Sequence, residues 1–249
     1  MIDPAVERDL RRYADLYETP EFLEGDPSWF MHQVHGAGNR EATAFLASCL
    51  SFGSRSQFMP KIQGIVDLAG GDVESWVGEG RFTRTFARGS QRCFYRFFTY
   101  GHMRAFLDGY RRLIDRYGSL GAYVRKEAAG DGYGAVAAIC RRFGRCCDVP
   151  VVPADHKSAC KRVCMFLRWM VRGGSPVDLG LWADAIDRRT LVMPLDTHVL
   201  HQAVRLGLLA GSCASMSAAR RLTATLAQVF PDDPLRGDFA LFGYGVNHK

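Results

Sequence analysis

The sequence places a lysine, Lys161, in the first turn of one predicted helix and an aspartate, Asp196, directly before another. A neutral lysine amine can attack an electrophilic carbon and form a Schiff base. A carboxylate before a helix stays ionised, because free backbone N–H groups and the helix dipole favour the anion. Together the two could supply a nucleophile and a group that stabilises developing positive charge. Each also has a structural interpretation, as a solvated surface lysine and a helix cap.

The helix predicted over 158–172 has one apolar face and one largely cationic face. Its apolar side chains recur at the spacing of a helix that packs on one side, namely Val163, Phe166, Leu167 and Met170. Lys161 and Arg168 fall on the other face. The preceding segment, 146–156, contains two prolines and is predicted to form a turn-rich hairpin. This arrangement puts Lys161 at the exposed beginning of a packed helix.

Helical periodicity extends over nearly the whole chain, and runs of β-branched residues are almost absent. Helices are predicted over 41–52, with Asn39 as its cap, and over 56–68, 102–117, 120–129, 134–143, 158–172, 176–186, 197–206 and 215–229, and a last one opens at Asp233. We therefore predict an all-α globule of roughly ten helices with short loops. The segments expected to carry the chemistry are 146–172, 196–207 and 233–244.

Composition excludes several classes of protein. The chain has 249 residues, 47% of them hydrophobic and 23% charged, and a mean hydropathy of −0.10, which excludes disordered and fibrous proteins. No apolar run approaches the length of a membrane span, and the N-terminus lacks the layout of a signal peptide. We expect a cytoplasmic protein that has no membrane partner.

The basic residues are almost all arginine. The chain has 27 arginines and five lysines, and its formal net charge is +6. Guanidinium groups suit phosphate contacts because the planar fork donates two hydrogen bonds to one phosphate. A GC-rich genome that encodes arginine wherever a cation is needed would give the same count. Because arginine is used at nearly all basic positions, each of the five lysines could be present for a chemical property that arginine lacks.

Eight cysteines are present without any C-x-x-C pair, and with no histidine spacing typical of a zinc finger. We expect buried thiols, and neither a metal site nor a cofactor. His198 and His201 lie three residues apart on one predicted helix, but two histidines without further ligands are more typical of surface or hydrogen-bonded side chains.

The sequence P-L-D-T-H-V at 194–199, followed by R-L-G-L at 205–208, resembles the V-D-T-H-V…R-L-G segment of the helix-hairpin-helix DNA glycosylases, the superfamily that includes endonuclease III. The resemblance implies that Asp196 is catalytic. It also implies that Lys161, which follows the hairpin as in bifunctional members, is the nucleophile. The fold implied is a single unit over 1–249, a two-lobed helical bundle of the glycosylase type.

Two further segments resemble the same superfamily. Residues 39–50 are similar to its early helix, and D-F-A-L-F-G at 238–243 is similar to its closing helix. In the archaeal 8-oxoguanine glycosylase branch, an acidic residue and an aromatic residue one turn later face the base pocket. Asp238 and Phe242 match those two positions, and the lysine-led stretch 161–168 aligns with that branch as well.

The likeness is greatest to a bacterial family of uncharacterised proteins known as DUF2400. It covers most of the chain and is carried by 158–162, 165–172, 194–198 and 238–243. The catalytic expectations come from the wider glycosylase superfamily.

The chain departs from endonuclease III in two respects. The hairpin there reads L-P-G-V-G-x-K-T-A, and its glycine N–H groups hold a DNA phosphate, whereas 151–158 contains no glycine. Lys157 and the N-terminus of the following helix could substitute. The C-terminal four-cysteine loop of cluster-bearing relatives is missing, since the last cysteine is Cys213, so we expect no iron–sulfur cluster.

These observations predict a DNA N-glycosylase with AP-lyase activity that removes an oxidised purine such as 8-oxoguanine from double-stranded DNA. Lys161 and Asp196 are the predicted catalytic residues. The predicted base pocket consists of Asp238, Phe242, Phe94 and Trp169. The predicted phosphate contacts are Lys157, Arg162, Arg168 and Arg96. The sequence does not indicate an oligomeric state, so a monomer is the default.

A second interpretation is a non-catalytic DNA- or RNA-binding protein that keeps the glycosylase scaffold. The aromatic residues of the predicted pocket are also typical of a hydrophobic core. Geometry separates the two interpretations, because a catalytic pair must bring the Lys161 amine and the Asp196 carboxylate within reach of one sugar.

Overall fold

The computed structural model describes residues 2–146, 148–211 and 213–248, and helices dominate it. In chain order the helices are α1 (Pro4–Tyr17), α2 (Trp29–His32), α3 (Ala37–Leu50), α4 (Arg55–Leu68), α5 (Val73–Gly78), α6 (Tyr100–Tyr117), α7 (Leu120–Ala128), α8 (Gly132–Phe143), α9 (Lys161–Val171), α10 (Thr197–Arg205), α11 (Met216–Leu226) and α12 (Arg236–Asn247). The all-α prediction is confirmed. No helix among the described residues is long and apolar enough to span a membrane.

The chain forms two compact units, and each is built from separate stretches of sequence. The first unit comprises Met1–Glu24, Gly130–Val136 and His156–Lys249. The second comprises Gly25–Ala129 and Ala137–Asp155. The residues predicted to be catalytic, Lys161 and Asp196, therefore both belong to the first unit.

The second unit is organised around α3, which is buried over most of its length. Asn39 was predicted to cap this helix, and that prediction is wrong, because α3 already begins at Ala37. The Asn39 amide instead donates to the carbonyl of Gly71 at 2.8 Å and accepts from the N–H of Val73 at 2.9 Å. Its side chain thus ties α3 to the start of α5.

Glu41 carries out a similar task two residues further along α3. Its buried carboxylate accepts from the N–H groups of Leu120 and Gly121 at 2.8 and 3.0 Å. These are the first N–H groups of α7, which have no partner within their own helix. Glu41 therefore satisfies the N-terminus of α7 from a helix almost 80 residues away in sequence.

An antiparallel hairpin, β1 (Cys93–Tyr95) and β2 (Phe98–Thr99), interrupts the helical pattern that we expected. Arg96 lies in its tight turn with a φ of 51°, in the left-handed region. Three of the four aromatic side chains in the hairpin are buried. Phe98 is fully buried, whereas Phe97 is 56% exposed.

In the first unit, α9 forms the core, and every residue from Val163 to Val171 is buried. Helix α1 packs along α12, and α10 packs on the same helix. The residue before α9, Cys160, has a φ of 46°, so the chain turns sharply just before Lys161. The helix begins at Lys161, three residues later than predicted. The last helix likewise begins at Arg236 and not at Asp233.

The helix predicted over 176–186 is not formed, although Ser175 and Pro176 are typical of a helix start. The N–H groups of Leu179 and Trp182 donate to the last carbonyls of α9, those of Trp169 and Met170, at 2.8 and 2.7 Å. These carbonyls have no partner within α9. Gly180, with a φ of 64°, lies so close to Gly173 that a Cβ there would be 2.6 Å from its Cα. Tertiary hydrogen bonds therefore replace the local helix.

We predict that Glu41→Ala destabilises the protein by about 2 kcal/mol, since it leaves two buried N–H groups unsatisfied. Urea unfolding followed by circular dichroism measures the change in midpoint. The control is Glu79→Ala, which removes an exposed carboxylate that forms an ion pair with Arg81, and it should have a much smaller effect. Equal effects of the two substitutions would contradict the capping role of Glu41.

Candidate catalytic site

Lys161 and Asp196 lie next to each other at the N-termini of two helices. Lys161 is the first residue of α9, and Asp196 is the N-cap of α10. The distance from Lys161 Nζ to Asp196 Oδ2 is 3.9 Å. Their side chains are 31% and 37% exposed, so that both are reachable from solvent. The structure thus brings together the two residues predicted to be catalytic.

Each oxygen of the Asp196 carboxylate has a different neighbour. Oδ1 accepts from the N–H of Val199 at 2.9 Å, which caps α10, while Oδ2 faces Lys161. Capping fixes the rotamer of the side chain, because Oδ1 has to stay within hydrogen-bond distance of the Val199 N–H. Asp196 is therefore a cap and a charged member of the site at once.

The segment before Asp196 is anchored in the core. Residues 191–195 are buried and have no regular secondary structure, and the N–H of Met193 donates to Oγ1 of Thr223 on α11 at 2.9 Å. Pro194 in this segment cannot donate a backbone hydrogen bond, which disfavours a longer α10. The anchor determines where α10 begins and so where the carboxylate lies.

The Lys161 side chain extends along its own helix. Nζ lies 3.4 Å from the sulfur of Met165, one turn further on, and that residue is buried. The amine thus has an apolar neighbour on one side and the Asp196 carboxylate on the other. A thioether is a weak acceptor and does not hold the ammonium strongly.

A second carboxylate, Asp238 at the start of α12, lies behind the pair. Its side chain is 15% exposed and is paired with the guanidinium of Arg168. Burial raises the pKa of Asp238 and the charge of Asp196 acts in the same direction, whereas Arg168 and Lys161 lower it, and the net direction is upward. The charges of all four residues therefore act on one another within this site.

Two arginines one turn apart, Arg168 on α9 and Arg172 directly after it, are buried and paired with carboxylates. Arg168 donates to Asp178 at 3.2 Å, and Arg172 donates to Asp178 and, at 2.8 Å, to Asp233. Arg172 also donates to Glu18 at 2.6 Å. Both guanidinium groups lie over the ring of Phe239, which is on α12. This arginine–carboxylate network joins α9 to α12, to the loop after α9 and to the loop after α1.

The network changes what Arg168 can do. Arg168 was predicted to contact a DNA phosphate, but only 4% of its side chain is exposed and it is paired with two carboxylates. Its charge is neutralised locally by Asp178 and Asp238. We therefore do not retain Arg168 as a phosphate ligand, and assign it to holding Asp238 in place.

The predicted base-pocket residues of the first unit differ in their surroundings. Phe242 lies one turn after Asp238 on α12 and is only partly buried, where it packs edge-on against Tyr17 and Phe22. Trp169, by contrast, is fully buried in α9, and its indole N–H has no hydrogen-bond partner among the described residues. Asp238 and Phe242 thus remain beside the candidate site, whereas Trp169 belongs to the core and we do not retain it.

Phe94 and Arg96, predicted as pocket wall and phosphate contact, belong to the second unit. Phe94 is buried against Phe86 and Tyr100, while Arg96 is exposed at the hairpin turn and lies over the ring of Phe52. Phe94 therefore has the surroundings of a core residue, and Arg96 those of a surface residue.

The other predicted phosphate contacts, Lys157 and Arg162, lie in the segment before α9 and in the first turn of α9. Residues 148–157 form bends without regular secondary structure, and Cys147, which falls within the predicted hairpin, lies outside the described residues. Lys157 is exposed and Arg162 is partly buried. The carbonyl of Lys157 accepts from the N–H of Met216 at 3.1 Å, which attaches this segment to the start of α11.

Sequence reasoning missed the acidic members of the network, Glu18, Asp178 and Asp233. A signal was present, since Arg168 and Arg172 lie within an otherwise apolar stretch of helix and buried guanidinium groups require carboxylate partners. Which carboxylates supply them depends on tertiary contacts. Among the described residues, no group of three or more His, Cys, Asp or Glu side chains could hold a metal ion.

We predict that Arg172→Met destabilises the protein by about 3–5 kcal/mol at pH 7, because the buried Asp178 and the partly buried Glu18 and Asp233 lose their common partner. Urea unfolding measures the loss. The control is Arg189→Met, which removes an exposed arginine paired with Asp187 and should leave stability almost unchanged. If the two variants were equally stable, the network would not have the role given to it here.

The Arg172 variant should also change the pH dependence of stability. Burial raises the pKa of Glu18, but Arg172 and Arg236 together lower it by more, so the net pKa lies below its usual value. Its contribution to stability is therefore present above the unfolded pKa of about 4.3 and is lost as the pH falls below it. Without Arg172, less opposes the effect of burial, which raises the pKa of Glu18 and favours its protonation, so the deficit of the variant should be smaller at about pH 4.5 than at pH 7.

The family to which the chain belongs follows from comparison with known sequences. The family model DUF2400, described as a protein of unknown function, matches residues 26–247. The matched range includes Lys161, Asp196 and Asp238. None of the curated proteins and none of the solved structures compared with the chain matches it significantly. The match extends over both units and most of the sequence: the chain belongs to the DUF2400 family.

Proposed function

We propose that the protein is a DNA repair glycosylase with AP-lyase activity, which excises an oxidised purine such as 8-oxoguanine from double-stranded DNA. The observation that supports this most directly is the 3.9 Å separation of Lys161 Nζ and Asp196 Oδ2 at two helix N-termini. A lysine paired with a carboxylate in a reachable position suits nucleophilic attack on a sugar carbon. The resemblance of 194–199 and 238–243 to the helix-hairpin-helix glycosylases supplies the reaction class.

In the proposed reaction the neutral Lys161 amine attacks C1′ of the damaged nucleotide. The bond from C1′ to the base nitrogen breaks, and its electron pair leaves with the base, which takes up a proton. Asp196, held as an anion at the start of α10, stabilises the positive charge that develops on the sugar. The amine nitrogen loses a proton, the bond from C1′ to O4′ breaks and O4′ takes up a proton, so that the opened sugar carries a protonated Schiff base at C1′. Removal of a C2′ proton then expels the 3′ phosphate by β-elimination.

Lysine and arginine have different tasks in this proposal. An ordinary lysine has a pKa of about 10.4 and can be deprotonated at a cost of several kcal/mol at pH 7. Arginine remains protonated in proteins and could not serve as the nucleophile. The bases and sugar that cover the amine when DNA binds would reduce this cost, because desolvation disfavours the charged form.

Asp238 and Phe242 are the proposed contacts to the extruded base. They lie one turn apart on α12, so their side chains share a face. The partly exposed ring of Phe242 offers a stacking surface, and the carboxyl group of Asp238 offers hydrogen bonds to a purine edge. Arg168 holds that carboxyl group from the interior.

Trapping tests the nucleophile. With borohydride and a duplex that contains 8-oxoguanine or an abasic site, the wild-type protein should form a covalent adduct, and Lys161→Gln should form none. Lys126→Gln, which removes an exposed lysine of the second unit, should trap like wild type. Failure of the wild-type protein to trap on either duplex would rule out the lyase proposal.

Substitution of Asp196 by asparagine tests the electrostatic role separately from the cap. Asparagine caps helices about as well as aspartate, so the melting temperature should change little. Loss of the charge should reduce single-turnover excision by about 100-fold or more, whereas DNA affinity should change much less. A variant that keeps wild-type excision would show that Asp196 serves only as a cap.

A second candidate function is nucleic-acid binding without catalysis. It is favoured by the hydrogen bond from Val199 to Asp196, which gives this carboxylate a structural task. It predicts tight, strongly salt-dependent binding of undamaged DNA or structured RNA, no preference for a lesion and no adduct. Comparison of damaged and undamaged duplexes in the trapping experiment therefore separates the two candidates.

A further inference from the structure

A cleft in the second unit combines four arginines with two tyrosines. It has a volume of about 640 Å³ and lies between α6, α7 and the C-terminal part of α8. We call it the arginine cleft, and it is lined by Arg112, Arg116, Arg141, Arg142, Tyr117 and Tyr123. Its residues all come from the second unit, whereas Lys161 and Asp196 come from the first.

The arginine cleft is electropositive. Two carboxylates, Asp115 and Glu127, also line it, so two positive charges remain after full neutralisation. Glu127 is paired with Arg141 at 3.0 Å. Four guanidinium groups in one cleft repel one another, and their repulsion is relieved when an anion binds.

Two of the arginines are held in place and two have available donors. Arg141 is held by Glu127, and Arg142 donates to the carbonyl of Gly109 at 3.1 Å. Arg112 and Arg116 lie one turn apart on α6 and are at least partly exposed, and neither has a carboxylate at ion-pair distance among the described residues. Their planar forks can each donate two hydrogen bonds to a phosphate.

The tyrosines add a flat surface to this cationic set. The rings of Tyr117 and Tyr123 pack edge to face, with centroids 5.1 Å apart, and Arg116 lies 5.2 Å from the centre of the Tyr117 ring. Tyr117 is only partly buried, so one part of its ring faces the cleft. Aromatic rings beside arginines are typical of sites that bind nucleotides, where the base or sugar packs on the ring and the phosphate on the guanidinium.

We propose that the arginine cleft binds phosphate esters, taken either from a nucleic-acid backbone or from a free nucleotide. The size of the cleft supports an ester over inorganic phosphate, because about 640 Å³ is in the range of pockets for whole small molecules. The position of Arg112 and Arg116 on one helix face suits two successive phosphates of a strand. This inference does not rest on the glycosylase proposal, since it concerns other residues and undamaged ligands.

The experiment measures binding to two probes by fluorescence anisotropy, a labelled undamaged duplex of about 20 base pairs and a fluorescent ATP analogue. The double variant Arg112→Ala/Arg116→Ala should weaken the binding of at least one of them about tenfold or more at low salt. For the duplex, the logarithm of the association constant decreases linearly with the logarithm of the salt concentration. The magnitude of this slope should be smaller by about 0.9 for each phosphate that the variant no longer neutralises. Weaker binding of the duplex identifies a nucleic-acid backbone as the ligand, and weaker binding of the analogue alone identifies a nucleotide.

The matched control is Arg84→Ala/Arg88→Ala, which removes the same charge from exposed positions elsewhere in the second unit. It should bind both probes like wild type. Equal weakening by the two double variants would mean that net charge alone is responsible for binding. No weakening by the cleft variant would mean that the cleft binds neither probe. Either result overturns the proposal. Borohydride trapping at an abasic site, measured on the same proteins at saturating DNA, reports on Lys161 independently.

Discussion

Two arginines buried on α9 and at its end require carboxylates from elsewhere in the first unit, and much of the candidate site depends on that requirement. Burying a guanidinium group without a partner costs several kcal/mol, so α9 is stable only when Asp178, Asp233 and Asp238 dock against it. Asp238 is on α12, which packs on α1 and α10. Satisfying the charges of α9 therefore also fixes the helices that surround Lys161.

Along α9 and at its end, the buried arginines that hold the structure are thus separate from Lys161, which is reachable from solvent. Arg168 and Arg172 are almost completely buried and lie over the ring of Phe239, where their charges are neutralised. Lys161, at the other end of the same helix, is 31% exposed and has a single carboxylate within ion-pair distance among the described residues. Arginine suits the first task because of its rigid fork of donors. Lysine suits the second because its amine can be deprotonated and become a nucleophile.

Asp196 shows how one residue can serve the fold and the proposed chemistry together. Its cap to Val199 holds the carboxylate in one rotamer, and the second oxygen is left facing Lys161. A side chain held before the reaction needs no reorganisation as charge develops, which is the condition for effective electrostatic stabilisation. A structural cap is therefore compatible with the catalytic proposal and does not have to be weighed against it.

The sequence by itself determined the helical class of the fold and the placement of Lys161 and Asp196 at helix starts. Both depend on local physics, since periodicity, prolines and capping residues act within a few positions along the chain. Only the tertiary structure decided that 176–186 forms no helix, because N–H groups of this segment donate to carbonyls at the end of α9 instead of to carbonyls of its own helix. It also decided which carboxylates neutralise Arg172, and that Lys161 and Asp196, far apart in sequence, lie 3.9 Å from each other. Such outcomes depend on contacts between distant segments, which compete with local preferences and which no short stretch of sequence encodes.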